Sequence, residues 1–278
     1  MIRDKIRLSD VDKHETSPFA CAILERDRQT MSMVADALRQ GRLRLAYQPV
    51  VIALNTDRIG FYEGLMRVLD PSGVAIPARD FMPAVEAHEI GREIDCAALA
   101  MGLKTLAEHP EVRLSINMSA RSIGYQKWRQ ILHHGLRRSA AIGERLILEI
   151  TESSAMQTPE LVVAFMEELQ REGIAFALDD FGAGYTAIRY FKDFFFDILK
   201  IDGQFIRNIK SDPDNQIVVA ALLSIGKQFD MVCIAESVED VGDAETLRAM
   251  GMDCLQGYLF GAPTITPPWQ SKVRRATA

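Results

Sequence analysis

LRLAYQPVVIALNTDRIGFYEGLMRV, residues 43–68, decides the fold of this chain. Its two apolar runs, 43–52 and 60–68, have the length and the aromatic and β-branched content of buried strands. Only ALNTDRI separates them, whereas parallel neighbours need a crossover of about a dozen residues or more, usually a helix. The segment therefore predicts an antiparallel hairpin.

Further strand candidates follow this hairpin, and helical patterns such as PELVVAFMEELQREG lie between them. Regular alternation of strands and helices over this length is typical of a closed parallel barrel. Together with the hairpin, it predicts an α/β fold: a modified TIM (β/α)8 barrel whose first strand is antiparallel to its second. The later strand candidates are residues 112–118, 145–151, 175–181, 197–202, 232–237 and 254–260.

The chain of 278 residues is 48% hydrophobic and can bury a large core. We expect a leader and an amphipathic helix at 1–40, one barrel domain at 41–270 and a basic tail at 271–278. The charged N-terminus argues against a signal peptide, and the apolar stretch 217–226 is too short to cross a membrane, so a cytoplasmic protein is predicted. Reduced, buried thiols are expected at the cysteines, which lack paired spacing: Cys21, Cys96, Cys233 and Cys254.

The net charge of −6 argues against a long DNA or RNA duplex as partner, since such binding requires clustered positive charge. A small phosphate ligand is compatible with this charge, because bound metal ions reverse the local balance. None of the histidines falls at a predicted strand end, which disfavours a zinc site rich in histidine.

Polar side chains follow the apolar runs where the predicted strands end. In a parallel barrel these ends meet at one rim, where such enzymes build their active sites. Several carboxylates brought together there would repel each other unless cations neutralise them. The sequence therefore predicts a divalent-metal site at the acids Glu63, Glu149, Asp179, Asp180 and Glu236, with Asn117 and Lys200 at neighbouring strand ends.

Two of these positions allow a second interpretation. Asp179-Asp180 is either a solvated loop or a metal site in which one carboxylate bridges two ions. Lys200, flanked by apolar residues, either forms a structural pair with Asp202 or Asp179, or orients and polarises an attacking water.

The remaining polar residues near strand ends are also ambiguous. Asn117 either pairs with backbone or supplies a neutral oxygen to a cation. For Glu152, capping of the following helix is the better interpretation from the residues alone. Glu239 is expected to support the metal ligands without binding the ion itself, and Gln256 is expected to orient water or substrate.

Motifs carrying these residues closely resemble the EAL-domain family, the bacterial cyclic di-GMP phosphodiesterases. The resemblance extends over residues 41–263 and rests on their order and spacing. The motifs are AYQP (46–49), EGLMR (63–67), SINMS (115–119), EITE (149–152), DDFGAGY (179–185), LKID (199–202), AESVE (235–239) and QGYLFGAP (256–263).

This resemblance implies two divalent cations, Mg²⁺ or Mn²⁺, and a role for each site residue. The implied ligands are Glu63, Asn117, Glu149 and Asp179 for one ion, and Asp179, Asp180 and Glu236 for the other. Lys200 would hold the catalytic water, with Glu63 and Gln256 at the active centre. Arg67 would contact a substrate phosphate, and Gln48 and Leu65 would line the nucleotide groove. Glu152 would brace the DDFGAGY loop, with Asp202 and Glu239 supporting the ligands.

Four features depart from the family pattern. The DDFGAGY loop and the residues after it have Ala183 and Thr186-Ala187 where the family more often has Thr and Ser-Ser. Gly64 gives EGL instead of EAL, which removes a methyl group and no chemical function. Ser237 replaces a glycine whose backbone freedom could matter for Glu236. The segment FKDFFFD (191–197) is more aromatic than usual.

The implied activity is hydrolysis of cyclic di-GMP to linear pGpG by a cytoplasmic homodimer. We expect the dimer contact among Phe191, Phe194 and Phe195, with Phe196 in the core. One alternative is a binding module that keeps the groove as a cyclic di-GMP receptor. A second is a metal-dependent barrel lyase that abstracts a proton, which the paired aspartates fit poorly.

Overall fold

The computed structural model describes residues 18–183 and 192–269. Eight strands close into a barrel in the order β1–β9–β8–β7–β6–β5–β4–β2, and β1 pairs with β2 to complete it. Strand β1 is antiparallel to both neighbours, the other barrel pairs are parallel, and β3 adds an antiparallel edge to β2. The predicted modified TIM barrel is confirmed.

The strands are β1 (Leu43–Ile52), β2 (Asn55–Leu69), β3 (Ala75–Pro77), β4 (Leu114–Asn117), β5 (Leu146–Thr151), β6 (Ala175–Phe181), β7 (Ile198–Ile201), β8 (Val232–Ala235) and β9 (Cys254–Gln256). The α-helices are α1 (Pro18–Arg39), α2 (Met82–Val85), α3 (Glu89–Glu108), α4 (Gln126–Leu136), α5 (Glu152–Ala155), α6 (Pro159–Gln170), α7 (Gly203–Ile206), α8 (Pro213–Gln228) and α9 (Val241–Met250).

The β1–β2 hairpin is tighter than its sequence suggests. Ile52 pairs with Asn55, so the turn comprises only residues 53–54, and β2 begins five residues before the predicted run at 60. A bulge between Val50 and Ile52 absorbs the resulting change of register. The polar residues 55–58 are part of β2. They can occupy the strand because this end of the hairpin is exposed to solvent.

Strand β9 is shorter than the predicted run 254–260. At Gly257 the chain leaves the sheet and packs against the backbone of Val238, where a Cβ atom would lie 1.9 Å from the Val238 carbonyl oxygen. The Val238 N–H donates to the Gln256 carbonyl at 2.9 Å, which fixes this close approach. Only glycine fits at position 257.

Successive strand residues point alternately into the barrel and outward to the helices. The outward layer includes Leu148, Phe176 and Leu199, fully buried beneath the helices. The inward layer is a separate apolar cluster that fills the barrel: Val50, Phe61, Ile147, Ala177, Ile198, Ile234 and Cys254. This plug supports the site described below.

The cysteine prediction holds in part. Cys96, Cys233 and Cys254 are buried, but Cys21 is exposed because it lies on the outer face of α1. None of the helices within residues 18–183 and 192–269 has the length and apolar character needed to cross a bilayer.

Candidate active site

A ring of polar side chains lies directly above the apolar plug. On β2, β5, β6, β7, β8 and β9 the ring residue follows a plug residue by two positions, so it points inward one step closer to the rim. On β4, Asn117 follows the buried Ser115 by the same spacing. On antiparallel β1 the relation is reversed, and Gln48 precedes Val50 by two positions. The ring consists of Gln48, Glu63, Asn117, Glu149, Asp179, Lys200, Glu236 and Gln256.

Lys200 occupies the centre of this ring and is almost completely buried. Its Nζ lies 3.3 Å from Glu63 Oε2, 2.8 Å from Glu149 Oε2, 3.0 Å from Asp179 Oδ1 and 2.7 Å from Glu236 Oε1. These acids come from four different strands or strand ends, and the barrel brings them to one ammonium group. The predicted pair with Asp179 is present, whereas Asp202 caps helix α7 through the Gln204 N–H at 2.7 Å.

Glu63 is held ionised by its neighbours. Asn117 Nδ2 donates to Glu63 Oε1 at 2.8 Å, and Gln256 Nε2 donates to Oε2 at 2.6 Å. Burial alone would raise the pKa of Glu63, but the charge of Lys200 and these hydrogen bonds outweigh it and lower the pKa. Glu63 is therefore a preformed anionic oxygen donor.

Burial and repulsion between carboxylates raise the pKa of three more acids at the site, Glu149 and Glu236 of the ring and the adjacent Asp180. Burial, followed by the charge of Glu63, raises the pKa of Glu149 to about 8. Burial also raises the pKa of Glu236 well above its ordinary value, against the pull of the lysine. The pKa of Asp180 is raised to about 6 by loss of hydration and by the charge of Asp179. The cluster holds more negative charge than one lysine balances.

The residues present fit a divalent cation. One oxygen each from Asp179, Asp180 and Glu236 lies within 4.8 Å of the other two, a spacing that one ion can bridge. Glu149 Oε1 is buried and accepts no hydrogen bond from a described residue, so a cation would satisfy it. Carboxylate and amide oxygens suit a hard ion such as Mg²⁺ or Mn²⁺.

Five residues of the ring form the floor of a cavity of about 370 Å³: Gln48, Glu63, Asp179, Glu236 and Gln256. Leu65 and Arg67 of β2 line one wall of this cavity. Gln48 is buried beside them, where its Nε2 donates to the Gly261 carbonyl at 3.1 Å and its Oε1 accepts from Gln256 at 3.3 Å. The arrangement offers an acidic floor and a cationic wall to a ligand.

The predicted supporting acids differ in position. Glu152 is buried and accepts from the Gly182 N–H at 3.1 Å, the contact that bracing of the following loop would require. It does not cap helix α5; the cap is Thr151, whose Oγ1 accepts from the Ser154 N–H. Glu239 is exposed and lines the cavity at its rim, outside the carboxylate cluster.

Sequence reasoning missed further cavity residues: Arg79, Arg207, Ser237 as a lining residue, and Tyr258. Arg79 follows β3, a strand too short to be recognised from the sequence. Arg207 lies just after α7, where the sequence pattern does not indicate which way a side chain points. Ser237 stands out in the sequence only because it replaces a glycine, although its position directly after Glu236 indicates the rim of the barrel.

The aromatic segment was interpreted partly wrongly. Phe196 is buried as expected, but Phe194 is also buried, with its ring centroid 5.4 Å from that of Phe196. Phe194 therefore belongs to the core. Phe195 is exposed over 58% of its surface, and Phe191 lies outside the described residues.

A family model for the EAL domain matches residues 31–263. Among curated proteins, the bifunctional diguanylate cyclase/cyclic di-GMP phosphodiesterase MucR of Pseudomonas aeruginosa is 32% identical over 240 residues, covering 84% of this chain and 35% of that protein. The cyclic di-GMP phosphodiesterase PdeF of Escherichia coli is 30% identical over 237 residues, covering 84% of this chain and 31% of that protein. The chain thus spans about a third of the length of these relatives.

Two solved structures have a fold similar to that of this chain. A MucR phosphodiesterase in complex with c-di-GMP has a TM-score of 0.74 and 30% identity, covering 87% of this chain and 99% of that one. The EAL domain of FimX from Pseudomonas aeruginosa, bound to c-di-GMP, has a TM-score of 0.76 and 25% identity, covering 85% of this chain and 96% of that one.

Proposed function

The chain belongs to the EAL-domain family, and from this membership we propose that it hydrolyses cyclic di-GMP to linear pGpG in a metal-dependent reaction. The observation that carries the proposal is the cluster of predicted ligands. Four of the acids surround Lys200, Asn117 donates to Glu63, and Asp180 lies with Asp179 and Glu236 at a spacing that one ion can bridge. Relatives about 30% identical are named as cyclic di-GMP phosphodiesterases.

Two Mg²⁺ or Mn²⁺ ions would be held by Glu63, Asn117, Glu149 and Asp179, and by Asp179, Asp180 and Glu236. When bound, they supply a nucleophilic water at neutral pH and neutralise the charge that develops on the phosphate. Asn117 suits this role because its Nδ2 is used by Glu63 and its carbonyl oxygen is left for a cation.

Lys200 would act on the attacking water, and Gln256 on the carboxylate of Glu63 beside it. Lys200 is a buried cation whose pKa is raised well above its ordinary value by the surrounding carboxylates, against the effect of burial, so it is a donor at every physiological pH. It would orient the water by donation and stabilise its negative charge. Gln256, held against Glu63, would fix the geometry of that carboxylate.

Arg67 would bind a substrate phosphate from the wall formed by β2. Its guanidinium can present paired N–H donors to phosphate oxygens. Gln48 and Leu65 would contact the nucleotide, one by its amide and the other by apolar surface.

The second candidate function is a receptor that binds cyclic di-GMP without turnover. The FimX EAL domain, which has the same fold, is described as bound to c-di-GMP. Receptor function alone would not need the full set of acids, and their presence favours hydrolysis.

We also propose that the active unit is a homodimer. Phe195 is a large apolar side chain exposed in the stretch of chain that leads from the loop after Asp180 into β7. An isologous contact there would bury it and link subunit contact to the ordering of that loop.

Incubation of purified protein with cyclic di-GMP and Mn²⁺, followed by separation of the products, tests the function directly. We expect linear pGpG, and no product after chelation. Full activity in chelator would refute the metal mechanism. Tight binding without product in Mn²⁺ would establish the receptor alternative.

A further inference from the structure

Arg207 stands on the wall of the cavity opposite Arg67. The barrel order places β7 four strands from β2 in either direction, through β1, β9 and β8 or through β4, β5 and β6. Arg207 follows β7 and helix α7, whereas Arg67 lies within β2, and both side chains line the same cavity. A cation therefore faces the cavity from each side of the acidic floor.

The guanidinium of Arg207 is held by Ser237. Arg207 Nη2 donates to Ser237 Oγ at 3.2 Å. Within residues 18–183 and 192–269, Arg207 makes no other side-chain hydrogen bond and no ion pair. Ser237 thus orients its positive charge, and no carboxylate of the described residues pairs with it.

Ser237 has a backbone conformation that is unusual for a serine. Its φ of 56° lies in the left-handed region, which a glycine adopts without strain and a serine does not. A glycine at this position would relieve the strain but would leave Arg207 without its hydroxyl partner.

Gly203 makes room for the Ser237 side chain. A Cβ atom at position 203 would lie 2.5 Å from Ser237 Cβ and 2.4 Å from its Oγ. A side chain at 203 and the present position of the Ser237 hydroxyl therefore exclude each other, which couples Gly203, Ser237 and Arg207.

Resting on the proposed function, we infer that Arg207 binds one of the two phosphodiesters of the cyclic dinucleotide from the wall opposite Arg67, and that Ser237 positions it. The ligand carries a negative charge at two places in one ring, whereas the floor carries carboxylates. A charge-assisted hydrogen bond from each wall holds both phosphates without relying on the floor. Because Arg207 is exposed and already oriented, it loses little freedom on binding.

The test is a kinetic comparison of Arg207→Ala, Ser237→Ala and their double variant in Mn²⁺, with affinity for cyclic di-GMP measured by calorimetry in chelator. Loss of a hydrogen bond to a charged phosphate corresponds to about a tenfold loss of affinity. We expect Arg207→Ala to raise KM and Kd about tenfold and to leave kcat within about twofold. Ser237→Ala should raise both about threefold, and the double variant should match Arg207→Ala alone.

Two controls separate positioning from general damage. Arg248→Ala removes an exposed arginine of α9 that does not line the cavity, and it should change neither KM nor Kd. Gly203→Ala should raise KM by displacing Ser237, and adding Ser237→Gly should bring KM back to the value of Ser237→Gly alone.

An unchanged KM and Kd in Arg207→Ala, with active wild-type protein, would overturn this inference and leave the proposed function intact. Effects of Arg207→Ala and Ser237→Ala that multiply in the double variant would overturn the positioning role of Ser237. A wild-type protein that neither binds nor hydrolyses cyclic di-GMP would refute the proposed function and this inference with it.

Discussion

Replacement of Lys200 by methionine should strongly destabilise the metal-free protein. Methionine keeps most of the side-chain volume, so the change removes a charge rather than creating a large cavity. The ammonium group lies within 3.3 Å of an oxygen of each of four carboxylates and is 1% exposed. Removing one partner of a buried ion pair costs about 3–5 kcal/mol, because the remaining charge is left uncompensated.

In a domain of this size, 1 kcal/mol shifts the melting temperature by about 2–4 °C. We therefore expect Lys200→Met to melt about 6–20 °C below the wild type in chelator. Saturating Mn²⁺ should reduce the difference, since bound cations replace the missing positive charge. The assay is calorimetry or circular dichroism at pH 7.5, with and without Mn²⁺.

Lys210→Met is the matched control. Lys210 also pairs with an acid, Asp240, but on the surface, where water screens the pair, so its melting temperature should hardly change. If metal-free Lys200→Met melts with the wild type, the carboxylates do not depend on Lys200 and the counter-charge argument is wrong.

The same variant separates the roles of Lys200 and Glu63. We expect both Lys200→Met and Glu63→Ala to abolish turnover, but only Glu63→Ala to lower Mn²⁺ occupancy measured by calorimetry. Equal loss of metal in the two variants would make Lys200 a structural counter-charge without a role on the water.

Three further predictions concern stability and assembly. Burial raises the pKa of Asp95 to about 7 from 3.8, so the folded protein keeps a proton that the unfolded chain loses, and the free energy of unfolding should fall as pH rises from about 4 to 7; Asp95→Asn should flatten this slope in urea titrations. Gly64→Ala should cost about 1–3 kcal/mol, because its Cβ would lie 2.8 Å from Ile116 Cδ1, and less in combination with Ile116→Val; additive costs in denaturant unfolding would contradict this. Phe195→Ser should shift the protein from dimer to monomer in light scattering and reduce activity with an unchanged melting temperature; a wild type that is monomeric and fully active at micromolar concentration would refute the coupling.

The barrel and its polar ring were predictable because both follow from alternation along strands. Ile198 and Lys200, like Ile147 and Glu149, are two positions apart, so an apolar run that ends in a charge places that charge above the plug. The connection predicted at 53–59, which is a two-residue turn in the structure, was too short for a parallel crossover and so indicated that the first strand is antiparallel to the second. These inferences need only local spacing and the geometry of a closed sheet.

Features that depend on packing between distant segments were not predictable in the same way. Phe194 and Phe195 are adjacent and chemically identical, yet one is buried and the other exposed, because burial already alternates from Phe194 onward although β7 begins only at Ile198. A run of consecutive phenylalanines does not show which of them face the core. The space next to Gly64 is filled by Ile116 Cδ1, so the missing methyl of the EGL motif is compensated by a neighbouring strand. No local pattern encodes such a contact.

The net charge of −6 is compatible with an anionic substrate because the charges are arranged in layers. The carboxylates lie on the cavity floor around Lys200, where divalent ions would convert them from a repulsive into an attractive surface. The arginines lie above, on opposite walls, and their charge acts on the ligand whether or not cations occupy the floor. Affinity and catalysis should therefore separate: loss of a wall arginine should raise KM, whereas loss of a floor carboxylate should lower kcat, and the two kinds of variant report on different layers of one site.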